Sequence, residues 1–389
     1  MPRNTCFVLG VGLLLGFGLP LTIGADDTGL AHRGVTLSTL DGPGDVGQFT
    51  SVAMGADGLG LIAYHDVANR TLKVAHCSNR ACSSATLTTL DDTGDVGQFT
   101  SVAIGADGLG LISYYASTNN RNLKVAHCSN RACSSATLTT LDDTGDIGQS
   151  TSVAIGADGL GLISYYDVIN GNLKVAHCSN RACSSATLTT LDSAGDVGQD
   201  TSVTIGADGL GLISYYDAIN GNLKVAHCSN RACTAATLTT LDSTGEVGQF
   251  TSVTIGADGL GLISYHDSTN HVLKVAHCSN RACTAATLTT LDRAGKVGQD
   301  TAVTLGADGL GLISYHDETN HTLKVAHCSN RACTAATLTT LDSAGEVGRD
   351  TSLTIGADRF GLISYYDATN GNLKVAHCSD ILCVPDRRR

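Results

Sequence analysis

The sequence predicts an all-β fold, a closed seven-bladed β-propeller with four antiparallel strands in each blade. The first observation is repetition, because the string Ala-His-Cys-Ser recurs seven times from Ala75 to Ala376, first 51 and then 50 residues apart. Repeats of this length are typical of propellers and arrays. The second is that each block holds four strand-like segments separated by turns. The third is that the two chain ends supply complementary parts of one block.

The four segments follow one order in every block. TLTTLD comes first, followed by an acidic loop, TSVAIG, an Ala-Asp-Gly turn, GLISYYD, a short polar loop and LKVAHC. Their β-branched residues and the turn residues between them predict strands. Asp-Gly between two apolar segments predicts a hairpin that joins the second and third strands. The polar loop ends in Asn-Gly in several blocks, a pair that readily adopts the positive φ of a turn.

The chain ends decide between a closed ring and an open array. Residues 35–41 form a TLTTLD-type segment that has no block of its own, and the last block stops after LKVAHCSDILC without such a segment. The four segment types therefore balance only if the N-terminal strand completes the last blade. A propeller closed in this way hides its seam and leaves only short, protected strand edges, whereas an open solenoid needs no such exchange.

Four regions are expected along the chain. A weakly basic start, an apolar run from Cys6 to Ile23 and small residues before Asp26 predict a signal peptide over residues 1–25. The competing interpretation is a membrane anchor, because 18 apolar residues are the lower limit for a span, but the glycines and Pro20 in the run favour cleavage. A linker follows over 26–34, the propeller over 35–383 and a basic tail over 384–389. The mature chain should then have no membrane span and be secreted or held at the cell surface.

The cysteines support export. Apart from Cys6, the 14 cysteines form seven pairs with one spacing, which predicts one disulfide per repeat in an oxidising compartment. Metal binding by these pairs is the alternative, but a neighbouring histidine such as His76 points to the opposite face of the strand from Cys77. The predicted disulfide cysteines are Cys77, Cys82, Cys128, Cys133, Cys178, Cys183, Cys228, Cys233, Cys278, Cys283, Cys328, Cys333, Cys378 and Cys383.

A resemblance to a known group is carried by the block TSVAIGADGLGLISYYD followed by NGNLKVAHC. This block resembles the repeats of secreted bacterial propellers, and its layout is similar to that of seven-bladed propeller lectins, over Val35 to Cys383. The resemblance implies the propeller fold and leaves the ligand open. Sialidase propellers carry a Ser-x-Asp-x-Gly-x-x-Trp box, and the absence of tryptophan from this chain argues against that assignment.

The acidic loop is one candidate site. Clustered carboxylates beside a glycine suit calcium, which takes six to eight oxygen ligands and is the one cofactor that the sequence suggests. The alternative is a solvated turn held by Asx hydrogen bonds, favoured because a lysine, Lys296, occupies the last loop position of one block. The candidate calcium ligands are Asp91, Asp92, Asp95, Asp142, Asp143 and Asp146.

The loop after GLISYYD is the second candidate. Tyrosine offers a face for stacking on a sugar ring, while Asp and Asn exchange hydrogen bonds with hydroxyl groups. The alternative is that the tyrosines pack and that Asp-x-x-Asn is an ordinary turn. The candidate ligand-binding residues are Tyr166, Asp167, Asn170, Asn172, Tyr216, Asp217, Asn220, Asn222, Tyr366, Asp367, Asn370 and Asn372.

Two further positions recur in every block. The histidines from His76 to His377 occupy one of them, which predicts satisfied residues between blades rather than ligands. At the entry to the innermost strand, Phe49, Phe99 and Phe250 alternate with Ser150, Asp200, Asp300 and Asp350. These residues are expected to ring the mouth of the central channel and to make it unevenly apolar and acidic.

The favoured function is binding without catalysis. Near-identical blades offer no unique set of nucleophile, base and orienting residue, so the sequence predicts no enzyme. Several equivalent sites on one face instead suit multivalent recognition of a glycan or a cell-surface protein. A net charge of −12 makes a nucleic-acid partner unfavourable. The alternatives are a structural or protein-interaction scaffold and, less favoured, a glycoside hydrolase or lyase that uses aspartates of the central funnel.

Overall fold

The computed structural model describes residues 34–118 and 121–384, which form 28 β-strands. The innermost strands of blades 1 to 7 are β2 (Val46–Met54), β6 (Val96–Ile104), β10 (Ile147–Ile155), β14 (Val197–Ile205), β18 (Val247–Ile255), β22 (Val297–Leu305) and β26 (Val347–Ile355). The second strands are β3 (Gly60–Asp66), β7 (Gly110–Ala116), β11 (Gly161–Asp167), β15 (Gly211–Asp217), β19 (Gly261–Asp267), β23 (Gly311–Asp317) and β27 (Gly361–Asp367).

The outer half of each blade follows the same repeat. The third strands are β4 (Thr71–Cys77), β8 (Asn122–Cys128), β12 (Asn172–Cys178), β16 (Asn222–Cys228), β20 (Val272–Cys278), β24 (Thr322–Cys328) and β28 (Asn372–Cys378). The outermost strands are β5 (Ala85–Asp91), β9 (Ala136–Asp142), β13 (Ala186–Asp192), β17 (Ala236–Asp242), β21 (Ala286–Asp292), β25 (Ala336–Asp342) and, for blade 7, β1 (Val35–Asp41).

The predicted ring closure is confirmed. Six sheets contain four consecutive strands, and the seventh has the order β1-β28-β27-β26, so the N-terminal strand completes the last blade. The pairing is antiparallel and places Val35 opposite Cys378 and Thr39 opposite Lys374. The expected signal peptide, nearly all of the linker and all but the first residue of the basic tail lie outside the described residues. Within the described part of the chain, no helix has the length and apolarity needed to cross a membrane.

Each innermost strand contains a bulge near its start. In blade 4 the pairing with β15 shifts between Gln199 and Ser202, and Asp200, which lies between them, has a φ of 50°. The bulge follows a glycine that permits close approach to the preceding blade. A Cβ on Gly198, whose φ is +101°, would lie 2.7 Å from the Cα of Leu173. Only glycine satisfies both the backbone angle and this contact.

The hydrophobic core lies between the blades. One cluster combines Val46, Ile62 and Tyr64 of blade 1 with Leu373 and Val375 of blade 7. The other clusters repeat this arrangement around the ring. A single blade therefore does not bury its own apolar face, and each blade depends on its neighbours for stability.

An ion pair also joins each blade to the next. Asp91, at the end of β5 in blade 1, accepts hydrogen bonds from the Tyr114 hydroxyl and the Lys124 ammonium of blade 2. We call this Asp-Tyr-Lys group the staple. Six further staples occupy the equivalent positions: Asp41-Tyr64-Lys73, Asp142-Tyr165-Lys174, Asp192-Tyr215-Lys224, Asp242-Tyr265-Lys274, Asp292-Tyr315-Lys324 and Asp342-Tyr365-Lys374.

The predicted disulfides are confirmed in all seven blades, each joining cysteines five positions apart. The neighbouring histidines are satisfied, as predicted, but their partner is an aspartate of their own blade and not of the next one. His76 contacts Asp57, in the turn between β2 and β3 of its own blade, with 2.8 Å between Nε2 and Oδ2. The pairing of β3 with β4 brings the histidine to the end of the blade where this turn lies.

Candidate functional site

Two variable loops of each blade meet at one end of the propeller, which we call the loop face. In blade 4 they are residues 193–196, before the innermost strand, and 218–221, after the second strand. The N–H of Ala218 donates to the carbonyl of Asp196, and the N–H of Val197 donates to the carbonyl of Gly171 in blade 3. These bonds repeat around the ring, so the loops of neighbouring blades interlock. The disulfide loops and the histidine-aspartate pairs lie at the opposite end of the blades.

The candidate sugar-binding residues are largely turned inward. Tyr166 is 7% exposed and its hydroxyl donates to Asp196, while Tyr216 and Tyr366 bond Glu246 and Asp45 in the same way. Burial together with this hydrogen bond raises the pKa of Tyr166 to about 12. Little of these three tyrosine rings is therefore accessible for stacking, because the residues are buried and their hydroxyls are bonded to acidic side chains of the next blade.

The remaining members of that set form turns. Asp167 is buried and accepts hydrogen bonds from the backbone N–H and the side-chain amide of Asn170. Asp217 with Asn220 and Asp367 with Asn370 repeat the arrangement. Asn172, Asn222 and Asn372 begin the third strands and are half-buried. The three exposed members are Asn170, Asn220 and Asn370, which lie on the loop face.

The candidate calcium ligands are not brought together. Asp91 and Asp142 belong to staples, Asp95 accepts from Gln98, and Asp146 accepts from Tyr115 and Arg121. Asp92 and Asp143 are exposed. Over residues 34–118 and 121–384, no group of three or more His, Cys, Asp or Glu side chains is arranged to hold a metal ion. The ammonium groups of Lys124 and Lys174 contact the first aspartate of each loop, Asp91 and Asp142.

Grooves separate successive blades on the loop face. The groove between blades 3 and 4 has a volume of about 330 Å³ and is lined by Ile169, Asn170, Ser193 and Asp196, with Tyr166 at its inner edge. Ile169 also borders the groove between blades 2 and 3, together with Arg121 and Asp146, which form an ion pair. These grooves combine an apolar surface with hydrogen-bonding and charged groups.

The central channel opens through a ring of seven residues, one from each innermost strand, which we call the mouth ring. Its members are Phe49, Phe99, Ser150, Asp200, Phe250, Asp300 and Asp350, and they line a cavity of about 190 Å³ backed by a ring of threonines. This position was predicted from the sequence. Phe49 and Phe99 contact each other, with 4.6 Å between ring centroids. Phe49 also lines a groove of the loop face, so the mouth opens on that face.

All members of the mouth ring have a φ between 49° and 52°. This left-handed conformation is unfavourable for most residues other than glycine and is especially uncommon for a bulky phenylalanine. Each residue lies in the bulge of its strand. The bulge turns the side chain toward the channel axis, whereas the regular strands on either side direct alternate side chains into the interfaces between blades.

The carboxyl groups of the mouth ring are perturbed. Burial and the nearby charge of Asp350 raise the pKa of Asp300, and burial raises the pKa of Asp350 and of Asp200. The N–H of Phe250 donates to Asp200 at 2.9 Å, which favours the ionised carboxylate but does not cancel the cost of burial. Ionisation of these groups therefore opposes folding.

The first testable consequence is that Asp300→Asn stabilises the protein at pH 8 and not at pH 4. Because the folded-state pKa of Asp300 lies above its usual value of 3.8, the wild type loses stability as the pH rises through that folded-state pKa. Asparagine tolerates the left-handed backbone and carries no charge. Urea unfolding at both pH values measures the difference, which should be on the order of 1 kcal/mol at pH 8. If Asp300→Asn were less stable than the wild type at pH 8, the upward shift assigned to the pKa of Asp300 would be contradicted.

Comparison with known proteins supports the fold. No protein-family model matches the sequence, and no curated protein matches it. Hydrazine synthase from Kuenenia stuttgartiensis superposes with a TM-score of 0.60 at 12% identity, over 85% of this chain and 95% of that chain. A protein of unknown function from Dyadobacter fermentans gives 0.57 at 11% identity, over 89% and 99%. The polysaccharide lyase Uly1 gives 0.54 at 8% identity, over 88% and 92%.

The chain is thus a seven-bladed β-propeller, the class of protein that its repeat and ring closure define. At these identities the likeness to solved structures extends to the fold alone. The loop face and the mouth ring of this chain are therefore the features from which its function is inferred.

Proposed function

We propose that the protein is an extracellular glycan-binding propeller that recognises its ligand in the grooves between blades on the loop face. One observation carries the proposal. Ile169 and Ile219, in adjacent blades 3 and 4, are 64% and 66% exposed. Four of the other blades have threonine at this position. Its hydroxyl accepts a hydrogen bond from a backbone N–H in the loop before the innermost strand of the same blade. These threonines are Thr118, Thr269, Thr319 and Thr369.

The two isoleucines therefore replace a loop-stabilising group with exposed apolar surface. We attribute this exposed apolar surface, which lacks the hydrogen bond of the threonine-containing blades, to contact with a ligand. Asn170, Ser193 and Asp196 beside Ile169 supply the hydrogen-bonding groups that sugar hydroxyls require. Exposed C–H groups of a sugar ring would pack on the aliphatic side chain. The similarity in fold to a polysaccharide lyase supports a carbohydrate ligand by analogy.

An extracellular location is supported by the disulfides, one in each of the seven blades. Two adjacent grooves with equivalent isoleucines suit a ligand of several sugar units. Occupation of both grooves by one chain would raise the apparent affinity through a high effective concentration.

The test is a glycan array probed with the oxidised protein, followed by calorimetric titration of each glycan that binds. We expect Ile169→Thr to weaken binding about tenfold, equivalent to ~1.4 kcal/mol, while leaving stability unchanged or improved, because threonine restores the loop hydrogen bond. Ile381→Thr is the matched control, since Ile381 is also an exposed isoleucine but lies in a disulfide loop at the opposite end.

Three results would redirect the assignment. An array without binding would refute a glycan ligand and favour a scaffold that binds a protein partner. Equal loss of binding in both variants would refute the grooves as the site. Cleaved glycans in mass spectra recorded after incubation would show turnover and favour the hydrolase or lyase alternative.

A further inference from the structure

The mouth ring is chemically uneven, because one repeated position of the innermost strand holds three different residue types. In order around the channel it presents Phe49, Phe99, Ser150, Asp200, Phe250, Asp300 and Asp350. Each phenylalanine has a phenylalanine or an aspartate beside it, so aromatic faces and carboxylates border the same small cavity. If these side chains only filled the channel, the same residue type could occupy this position in every blade.

The three aspartates of the ring have no cation of their own. Two other carboxylate positions of the repeat have a basic partner in every blade, as in the pair of Asp91 with Lys124 and that of Asp57 with His76. Within residues 34–118 and 121–384, Asp200, Asp300 and Asp350 form no ion pair.

One basic side chain acts on the ring without pairing with it. Arg349 lies in β26, and its charge acts to lower the pKa of Asp300 and Asp350. Its guanidinium is paired with Glu346 and is about half exposed, with 48% of the side chain accessible. The three carboxyl groups of the mouth therefore have no direct basic partner among the described residues.

The aromatic members indicate which cation is suited to the cavity. A phenylalanine face attracts an ammonium group through its quadrupole, most strongly where the group is shielded from water. Phe250 lies between Asp200 and Asp300 around the ring, and Phe49 lies beside Asp350, so a bound cation would meet both kinds of side chain. A metal ion would instead require several oxygen ligands, and no group of three metal-ligating side chains is present in the described chain.

The size of the cavity restricts the group further. Its volume of about 190 Å³ is below the ~300 to 1,000 Å³ of pockets that hold whole drug-sized ligands. It corresponds to the volume of roughly six water molecules at ~30 Å³ each. A single ammonium group with its carbon substituents fits this space, and the rest of a larger ligand would extend onto the loop face.

From these observations we infer that the mouth ring is a second binding site, specific for an organic ammonium group, with Asp300 and Asp350 neutralising the charge and Phe49 and Phe250 packing on its carbon substituents. The site is independent of the grooves proposed for glycans. The ammonium group can belong to an amino sugar or to a free amine, and the chemistry of recognition is the same.

The experiment compares choline with 3,3-dimethyl-1-butanol, its uncharged analogue of the same shape, by calorimetry at pH 8. We expect choline to bind at least tenfold more tightly. The double variant Asp300→Asn with Asp350→Asn should lose at least tenfold in affinity for choline. The matched control, Asp92→Asn with Asp258→Asn, removes the same net charge from an exposed loop and from the opposite end of the propeller and should bind like the wild type.

Additional ligands separate the two sources of the ammonium group. Binding of glucosamine but not of N-acetylglucosamine or lysine amide would assign the site to amino sugars, and equal binding of lysine amide would assign it to amines in general. Each double variant is first compared with the wild type by circular dichroism and thermal unfolding. The inference is overturned if both choline analogues bind equally, if the control loses as much affinity, or if calcium displaces choline at lower concentration than sodium does.

Discussion

A chain that begins at Gly42, and therefore lacks β1, is expected to lose at least about 5 kcal/mol of its free energy of unfolding and to unfold without a single cooperative transition. Deletion of β1 exposes the edge of β28, which pairs with it from Val35 to Asp41. It also removes Asp41, which leaves Lys73 and the Tyr64 hydroxyl without their staple partner. Because the core lies between blades, damage to blade 7 extends to blade 1. Urea unfolding followed by circular dichroism measures the loss.

Two companion chains make this prediction specific. A chain that begins at Gly34 keeps β1 and should unfold like the full-length protein. A chain that begins at Gly42 and carries the β1 sequence after Cys383, joined by the two serines that precede β5 in blade 1, should recover most of the stability. Wild-type unfolding of the shortened chain without this addition would show that ring closure by β1 is unimportant.

The second large effect is expected from Asp91→Asn, which should cost about 3 kcal/mol, while Asp92→Asn should change stability by less than about 0.5 kcal/mol. The two carboxylates are adjacent in the chain. Asp91 is 1% exposed and bonds Lys124 and Tyr114 of the next blade, whereas Asp92 is exposed. Substitution of Asp91 leaves the lysine ammonium in a largely buried position without a counter-charge.

The dependence on pH provides a further check on the staple. Burial alone would raise the pKa of Asp91, but hydrogen bonds from Lys124, Thr93 and Tyr114 outweigh it and hold the pKa below its usual value of 3.8. The stabilisation is therefore fully present above pH 3.8 and is lost as the pH falls through the lower, folded-state pKa. The gap in stability between the wild type and Asp91→Asn should narrow under those acidic conditions. A gap that is constant from pH 7 to pH 2 would show that the charge of Asp91 contributes nothing.

The carboxylates of the staples and those of the mouth ring have opposite effects on stability when they are ionised. Each staple carboxylate has a lysine beside it, and its ionised form stabilises the ring of blades. Asp300 and Asp350 lack such a partner, and their ionised forms oppose folding. Residues that reduce stability and serve no packing role are typical of functional sites. Together with the cavity and its phenylalanines, this contrast supports the ligand site inferred at the mouth and the structural role of the staples.

The candidate site could be predicted from the sequence only in part. Comparison of the repeats located the mouth ring, because a position that changes between phenylalanine, serine and aspartate stands out among near-identical copies. The same comparison missed the staples, although the invariant Lys of LKVAHC and Asp of TLTTLD were a visible signal. The exposed Ile169 and Ile219 were missed as well, because the polar loop residues around them were the ones interpreted as hydrogen-bonding groups.

The sequence by itself determined the architecture of this protein, since strand order, hairpins, disulfides and ring closure follow from local patterns that repeat every 50 residues after the first interval. Only the tertiary structure decided which side chains remain available. The hydroxyl of Tyr166 is bonded to Asp196 of the next blade, and Asp91 is paired with Lys124, which lies 33 residues away in the sequence. These contacts join neighbouring blades, so a pattern within one repeat does not reveal them. Burial and charge pairing across an interface depend on how two neighbouring blades pack against each other, and that packing exists only in the closed ring.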